Sequence, residues 1–455
     1  MRKKAPQRRH NNQSKTRSNT RPQISESPIE VQVQRLSAEG RGVALHQGKT
    51  VFVAGALPGE TVMAKIVQPH RRYDEAICTE VLSPSAHREA PLCEHYAVCG
   101  GCDLQHLAHN QQIIEKQQGV LDQLSRLGKV NPEQIDSPLE SRPDQYRRSA
   151  RLGINRLQRD GSVIIGFRRR GSSKLVQIEQ CPVLEKTLNQ CLKMLRQTLS
   201  NADNVRDITH ADIVMGDDQG ALTLRVKKRP DESLLSQIST EAQALGLFLY
   251  LDDGHHTRAY KAEATLSYRL VAQSLELRFQ PGDFLQVNAD LNQQMINRAL
   301  DWLDLKKTDR VLDLFSGIGN FTLPLAQVAG EVVGVEGSDT MVERASQNAK
   351  INQLSNCSFF KANLTDDLRH HRWFNQGFNK ILLDPPRTGA LEVIQQLEHY
   401  NAAQVLYVSC NPAALARDSA ALVALGYRFS RFCVMDMFPH TSHVESLALF
   451  EKSIG

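Results

Sequence analysis

Cys410 stands at the end of an apolar run, Val405-Leu406-Tyr407-Val408, inside the stretch AAQVLYVSCNPAA from Ala402 to Ala414. A branched and aromatic run of that length predicts a buried strand, so the thiol emerges where the strand stops. Beyond it, Ala413, Leu415, Ala416, Ala420, Leu422, Val423 and Leu425 recur at mixed three-and-four spacing before Gly426. That pattern predicts a helix with Asn411 as N-cap, Pro412 in the first position and Gly426 as terminator. A thiol one residue before a helix N-terminus feels the positive end of the backbone dipoles, which favours thiolate. Cys410 is thus a candidate nucleophile, against the plainer reading of an inert core cysteine.

From about Arg310 onward apolar strands alternate with helices: Val311-Leu314, Val332-Val335, Ser358-Ala362, Ile381-Leu383 and Val405-Val408. This predicts an α/β fold with a doubly wound parallel sheet, whose ligands lie beyond the carboxyl ends of the strands. Those ends carry Asp313, Glu336, Asn363, Asp384 and Cys410. The loop Gly317-Ile318-Gly319-Asn320 has glycines for a tight turn, but Thr322 takes the place of the third glycine of a dinucleotide fingerprint. Asp313 would repel a phosphate and suits a cation, and Glu336 can accept from ribose hydroxyls. An adenosyl sulfonium, S-adenosylmethionine, fits those charges. Asp384-Pro385-Pro386-Arg387 is a stiff loop that can hold Asp384 near a methyl donor. Amine methyltransferases with a similar loop follow it with a stacking aromatic; Arg387 stands there instead, which leaves room for carbon methylation.

Carbon methylation gives Cys410 a task. C5 of uracil is a poor nucleophile, and a thiolate adding to C6 makes the ring an enolate whose C5 can attack a sulfonium methyl. A base must then take the C5 proton. Glu445, in the strand-like run His443 to Leu449, is the candidate; its plain reading is a surface carboxylate.

Length and composition bound the rest. The 455 residues, 41% hydrophobic, can hold about three domains. Of the net charge of +5, the first 21 residues supply eight basic groups and no acid, leaving 47 basic against 50 acidic residues elsewhere. That tail has no apolar core of a signal peptide, and disorder with phosphate neutralisation, or mere solubilisation, is expected of it. No apolar run approaches the ~18 residues of a membrane span. Nine cysteines without a secretory signal imply reduced thiols and a cytoplasmic protein.

Short alternating runs from Ile29 to Leu82, punctuated by glycines, predict a small closed β-barrel. Arg35, Arg41, Lys49, Phe52, Arg71, Arg72 and Tyr73 offer charge and stacking for a single strand. Its wording, GRGVALHQGKTVFVAGALPGETV, resembles the TRAM domain, a small RNA-binding barrel. Cys93, Cys99 and Cys102, with Cys181 further on, form a C-x5-C-x2-C cluster that predicts a metal centre, zinc or [4Fe–4S]. Leu104 to Leu127 predicts an amphipathic helix closed by Gly128. Arg147, Arg148, Arg151, Arg168, Arg169 and Arg170 are a candidate phosphate-binding surface, against a plain solvated face.

FLQVN (Phe284 to Asn288), DLFSGIGNFTLPLA, LLDPPRTGA, YVSCNP and TSHVESLALF resemble the successive motifs of the RNA 5-methyluridine methyltransferases. The resemblance covers nearly the whole chain after the tail, and the barrel and cysteine cluster point to the branch acting on 23S rRNA. It implies Cys410 as nucleophile and Glu445 as base, with Gln286, Phe315, Asn320, Glu336, Asn363 and Asp384 on the cofactor. It also implies a [4Fe–4S] cluster on Cys93, Cys99, Cys102 and Cys181, and Phe284 on the extruded base. The expected organisation is a tail (1–24), a TRAM-like barrel (25–83), a central iron–sulfur domain (84–275) and a methyltransferase domain (276–455). A monomer away from membranes is expected. The competing readings are a uracil-C5 methyltransferase acting on another rRNA or tRNA uridine, an amine methyltransferase with a zinc module, and a non-catalytic RNA chaperone.

Overall fold

The computed structural model describes residues 27–202 and 205–452, so the basic tail lies outside the described residues. Two compact units are present: one made of the residues up to Arg35 with Arg41–Ser85, the other of Leu36–Gly40 with the chain from Ala86.

In the first unit β1 (Ile29–Leu36), β2 (Gly42–His46), β3 (Lys49–Ala54), β4 (Thr61–Pro69) and β5 (Tyr73–Ser83) close into a barrel of order β1-β2-β3-β5-β4. Alternation drives it: Val31 and Val33 point inward while Glu30, Gln32 and Gln34 face water. Small and branched side chains, Ala44, Val51, Val53, Val62 and Ala64, fill the narrow interior. The glycines that punctuate these runs do more than turn the chain. Gly42 is a packing glycine, where a Cβ would meet the Val33 side chain at 2.8 Å and the Ala56 carbonyl at 2.9 Å.

The second unit opens with α1 (His109–Gln123), followed by β6 (Gln134–Ile135). Helix α1 is shorter than its apolar pattern predicts, and its end widens into a π-helical turn over Leu124–Gly128. The cause is a close approach: a Cβ on Gly128 would lie 2.4 Å from the Ala416 carbonyl oxygen. A seven-stranded sheet comes next, formed by β7 (Ser149–Arg156), β8 (Val163–Arg168), β9 (Leu175–Gln177), β10 (Ile208–Met215), β11 (Gly220–Val226), β12 (Leu247–Asp252) and β13 (Thr257–Ala259). Helices α2 (Lys186–Ser200) and α3 (Glu232–Gln243) cover it, burying Leu188, Leu192, Leu195, Leu235 and Ile238.

The expected iron–sulfur domain is corrected here. Among the described residues no group of three or more Cys, His, Asp or Glu side chains is arranged to hold a metal ion. Cys93, Cys99, Cys102 and Cys181 are free thiols, half-buried, and close enough for their charges to interact. Burial pushes Cys102 up to about 12 and Cys181 up to about 11.

A hairpin of β14 (Leu266–Leu270) and β15 (Leu275–Phe279) and helix α4 (Ala289–Leu303) lead into the last sheet. There β16 (Arg310–Leu314), β17 (Glu331–Glu336), β18 (Cys357–Lys361), β19 (Lys380–Leu383) and β20 (Gln404–Ser409) run parallel. Helices α5 (Thr322–Val328), α6 (Asp339–Ile351), α7 (Leu391–Leu397) and α8 (Pro412–Ala424) connect them with the antiparallel pair β21 (Tyr427–Met435) and β22 (Glu445–Lys452). The order is β18-β17-β16-β19-β20-β22-β21-β6. Its direction of winding reverses beside β16, the switch point at which open α/β sheets bind ligands. Among the described residues no helix is long and apolar enough to cross a membrane.

Helix α1 is fastened to this sheet by a buried ion pair. Lys116 donates to Asp436 Oδ1 at 2.6 Å and to the Phe438 carbonyl at 3.1 Å, and His109 lies 3.1 Å from Asp436 Oδ2. Removing one partner of such a pair leaves a buried charge, so Lys116→Met should cost about 3 kcal/mol. Urea unfolding checks this; Lys116→Met with Asp436→Leu should regain part of the loss, and an unchanged midpoint in the single variant would remove the pair from the account.

Candidate active site

Parallel strands bring their carboxyl ends to one edge, and antiparallel β22 brings its first residue to the same edge. Ser409 pairs with Ser446 and Met435 with Glu445. One step beyond Ser409 is Cys410, so the thiol and the Glu445 carboxyl face each other at the rim.

Asn411 caps α8 as expected, its side-chain oxygen accepting from the Ala413 N–H at 3.1 Å, with Pro412 opening the helix and Gly426 at φ +87° beyond its end. The expected thiolate does not follow. Burial raises the Cys410 thiol, Glu445 and Asp384 raise it further, and Arg387 only partly opposes them. Desolvation, with two nearby carboxyl groups, holds the group towards the thiol form. Glu445 itself is 7% exposed, and burial, then Asp384, pushes it up to about 8. It is an uncharged acid at neutral pH, not the surface carboxylate that a lone glutamate suggests.

At the switch point Asp313 is buried and pushed up to about 7 by desolvation, against a 2.5 Å hydrogen bond from Thr322 Oγ1. Thr322 thus has a task at the position where a third glycine would stand. Asp384 is likewise pushed up to about 7 by desolvation. Glu336 accepts from the N–H groups of Gly317 at 3.1 Å, Gly337 at 2.8 Å and Ser338 at 3.1 Å, tying the end of β17 to the glycine loop. Phe315 sits at φ +67°, a strained value for a side chain of its size, where the chain leaves β16. Asn363 is exposed and closes a local turn, receiving Thr365 Oγ1 at 3.0 Å and donating to Asp366 at 3.0 Å.

These residues fit an adenosyl sulfonium. Asp313 Oδ1 and Ser316 Oγ are buried without a hydrogen-bond partner among the described residues, and Asp313, Asp384 and Glu445 are held near neutrality. A cation among them supplies the missing counter-charge. Gly319, at φ +95°, has no room for a Cβ, which would strike Leu323 at 2.3 Å.

The FLQVN stretch leads into α4, whose Asn292 bonds Asn320 of the glycine loop. Asn288 caps α4, Gln286 is buried and its carbonyl accepts from Arg148 Nε at 2.9 Å, and Phe284 is 69% exposed. Asn320 is held by Tyr268, whose hydroxyl donates at 2.9 Å, and by a reciprocal amide pair with Asn292. The Arg148 guanidinium lies 4.8 Å over the Tyr268 ring with Nη2 buried and unpartnered. Sequence reasoning missed Tyr268 and Asn292, which lie outside any legible motif. It also missed His443 and Ser442, which line the cavity of Cys410, although both sit within TSHVESLALF. The four cysteines of the expected metal centre play no part at this edge. On the barrel, Arg41 lies 5.0 Å over Phe52, Phe52 meets Tyr73 edge-on at 5.5 Å, and His70 stacks on Tyr73 at 4.3 Å.

A family model described as tRNA (Uracil-5-)-methyltransferase matches residues 108–453, and a TRAM domain matches residues 27–77. A 23S rRNA (uracil(1939)-C(5))-methyltransferase RlmD of Aeromonas hydrophila is 43% identical over 425 residues, 93% of this chain and 96% of that protein. The protein of the same name from Alcanivorax borkumensis is 41% identical over 437 residues, 95% of this chain and 98% of its own length. Among solved structures, Pyrococcus abyssi tRNA (uracil-54, C5)-methyltransferase in complex with S-adenosyl-L-homocysteine aligns with a TM-score of 0.69 at 20% identity, covering 93% of this chain and 100% of that one. At that identity the structural likeness speaks for the fold alone. The family model and the curated relatives speak for descent, and the chain belongs to the RNA uracil-5-methyltransferase family, with a TRAM domain at its N-terminal side.

Proposed function

We propose that this protein methylates C5 of a uracil in 23S rRNA with S-adenosylmethionine as donor, the activity named for its relatives of 43% and 41% identity. The observation that carries the mechanism is the strand register that sets Cys410 against buried Glu445. An amine methyltransferase has no use for that pair.

Cys410 Sγ, once deprotonated, adds to C6 of the uracil, and its electron pair enters the ring to leave C5 nucleophilic. Arg387 eases loss of the thiol proton, since it is the cation that lowers Cys410. The cofactor supplies an electrophilic methyl group to C5. Asp384, Asp313 and Glu336 hold its charged and ribose ends, with Gln286, Phe315, Asn320 and Asn363 as further contacts. Glu445, ionised, takes the proton from C5; the electrons of that C–H bond form the C5–C6 double bond, and the C6–S bond breaks to release thiolate. Exposed Phe284 is suited to stack on the extruded base.

Glu445→Gln should still form the sulfur–C6 bond and fail to resolve it, leaving a protein–RNA band that survives denaturing electrophoresis. Free turnover without that band would assign the proton transfer elsewhere. Because Glu445 must be ionised, with a value of about 8, and Cys410, also raised, must lose its proton, kcat/KM for RNA should rise with pH up to and beyond about pH 8. A profile flat from about pH 6 to about pH 9 contradicts Glu445 as the base.

A further inference from the structure

A second cavity carries chemistry that the methyl transfer does not use. It lies where β7, β8 and the turn after β8 meet the Gly100-Gly101 loop, encloses about 540 Å³, and is lined by Arg151, Arg168, Arg169, Arg170 and His210, with Asp103 as its one carboxylate. The four arginines are not equivalent. Arg151 is gripped by Asp212 through two hydrogen bonds of 2.6 and 2.9 Å. Arg170 is occupied by structure, donating to Asp103 Oδ1 at 2.8 Å and to the carbonyls of Cys99 at 3.4 Å and Cys102 at 2.5 Å.

Arg168 and Arg169 are exposed, and neither has a side-chain partner among the described residues. Their backbone is nevertheless fixed. The Arg168 carbonyl accepts from Gly100 at 3.0 Å, Arg169 N–H donates to Lys174 at 2.7 Å and Arg170 N–H to Val98 at 2.9 Å. Two free guanidinium forks therefore stand on a rigid hairpin. His210 shares the cavity: burial, then Arg151, and in smaller measure Arg168 and Arg225, hold its imidazole below its ordinary value against the opposing pull of Asp212. Gly100, Gly101 and Gly171 keep the rim free of side chains, as close approach of a backbone-like ligand requires.

The cavity adjoins the reaction site through Asp103. One carboxylate oxygen holds Arg170, and the other accepts from Ser442 Oγ at 3.2 Å; Ser442 lines the cavity of Cys410. We infer that this arginine cleft takes the phosphodiester backbone of the rRNA strand flanking the target uridine, with Arg168 and Arg169 forked onto phosphate oxygens. The inference rests on the reading of RNA as substrate and adds where the strand runs.

The test compares wild type, R168Q/R169Q and R168K/R169K in binding an rRNA fragment across a salt series. Losing two phosphate contacts should lower the slope of log affinity against log salt by about 1.4 and weaken binding about tenfold at moderate salt. The lysine variant should keep most of the slope, because it retains both point charges. A glutamine variant with wild-type slope and affinity overturns the inference, as does equal loss in both variants together with a lowered unfolding midpoint, which would mark a structural role. If wild-type protein installs no methyl group on RNA, the functional reading itself fails; if it does and the slope is unchanged, only the cleft assignment falls.

Discussion

One pairing of strands governs this site. Ser409 of β20 lies opposite Ser446 of antiparallel β22, so Cys410, one step past the end of β20, and Glu445, the first residue of β22, meet at the rim of the sheet. A slip of one residue would turn Glu445 to the other face and separate it from Cys410. The register is held from both sides: Val405, Leu406, Tyr407 and Val408 are buried, as are Leu447, Ala448, Leu449 and Phe450. Apolar packing thereby does work at the reaction centre that no polar contact between the two residues has to do.

Desolvation sets the chemistry at that rim. Asp313, Asp384 and Glu445 are all pushed up from ordinary carboxyl values, to about 7, 7 and 8. Ionising Glu445 here costs about 5 kcal/mol more than in water, the energetic meaning of its displacement from 4.5 to about 8. A site with such groups favours a bound cation, and a sulfonium is one. The same burial keeps Cys410 a thiol until Arg387 and the substrate complete its surroundings. The arginine cleft beside it has the opposite sign, as befits a polyanion passing next to a pocket that receives a cation.

Much of this was legible from residues alone, because it depends on local pattern. The strand before Cys410, the cap at Asn411 and the stop at Gly426 follow from apolar spacing and turn chemistry, and the five parallel strands follow from runs of branched residues. What was not legible depends on three-dimensional convergence. The thiolate expected at Cys410 fails because burial, and after it Glu445 and Asp384 arriving from distant sequence, raise the thiol. The iron–sulfur domain expected from Cys93, Cys99, Cys102 and Cys181 is not supported, since no group among the described residues is arranged to hold a metal ion. Helix α1 gives way to a π-turn where Gly128 meets Ala416, a contact no periodicity encodes. Tyr268 and Asn292 secure the glycine loop from a segment without a motif. Thr322 shows the converse: read as a missing glycine, it is a hydrogen-bond donor to Asp313.

The central claim is a transient bond between Cys410 sulfur and uracil C6. RNA carrying 5-fluorouridine at the target blocks the final proton abstraction, since fluorine cannot leave C5 as a cation, and should arrest the protein with that bond intact. Incubation of the wild-type enzyme with such RNA and S-adenosylmethionine, followed by digestion and mass spectrometry, should find a methylated fluorouridine on the peptide containing Cys410, and none with Cys410→Ala. An adduct on another residue, or methyl transfer to carbon by Cys410→Ala at the wild-type rate, would contradict the account.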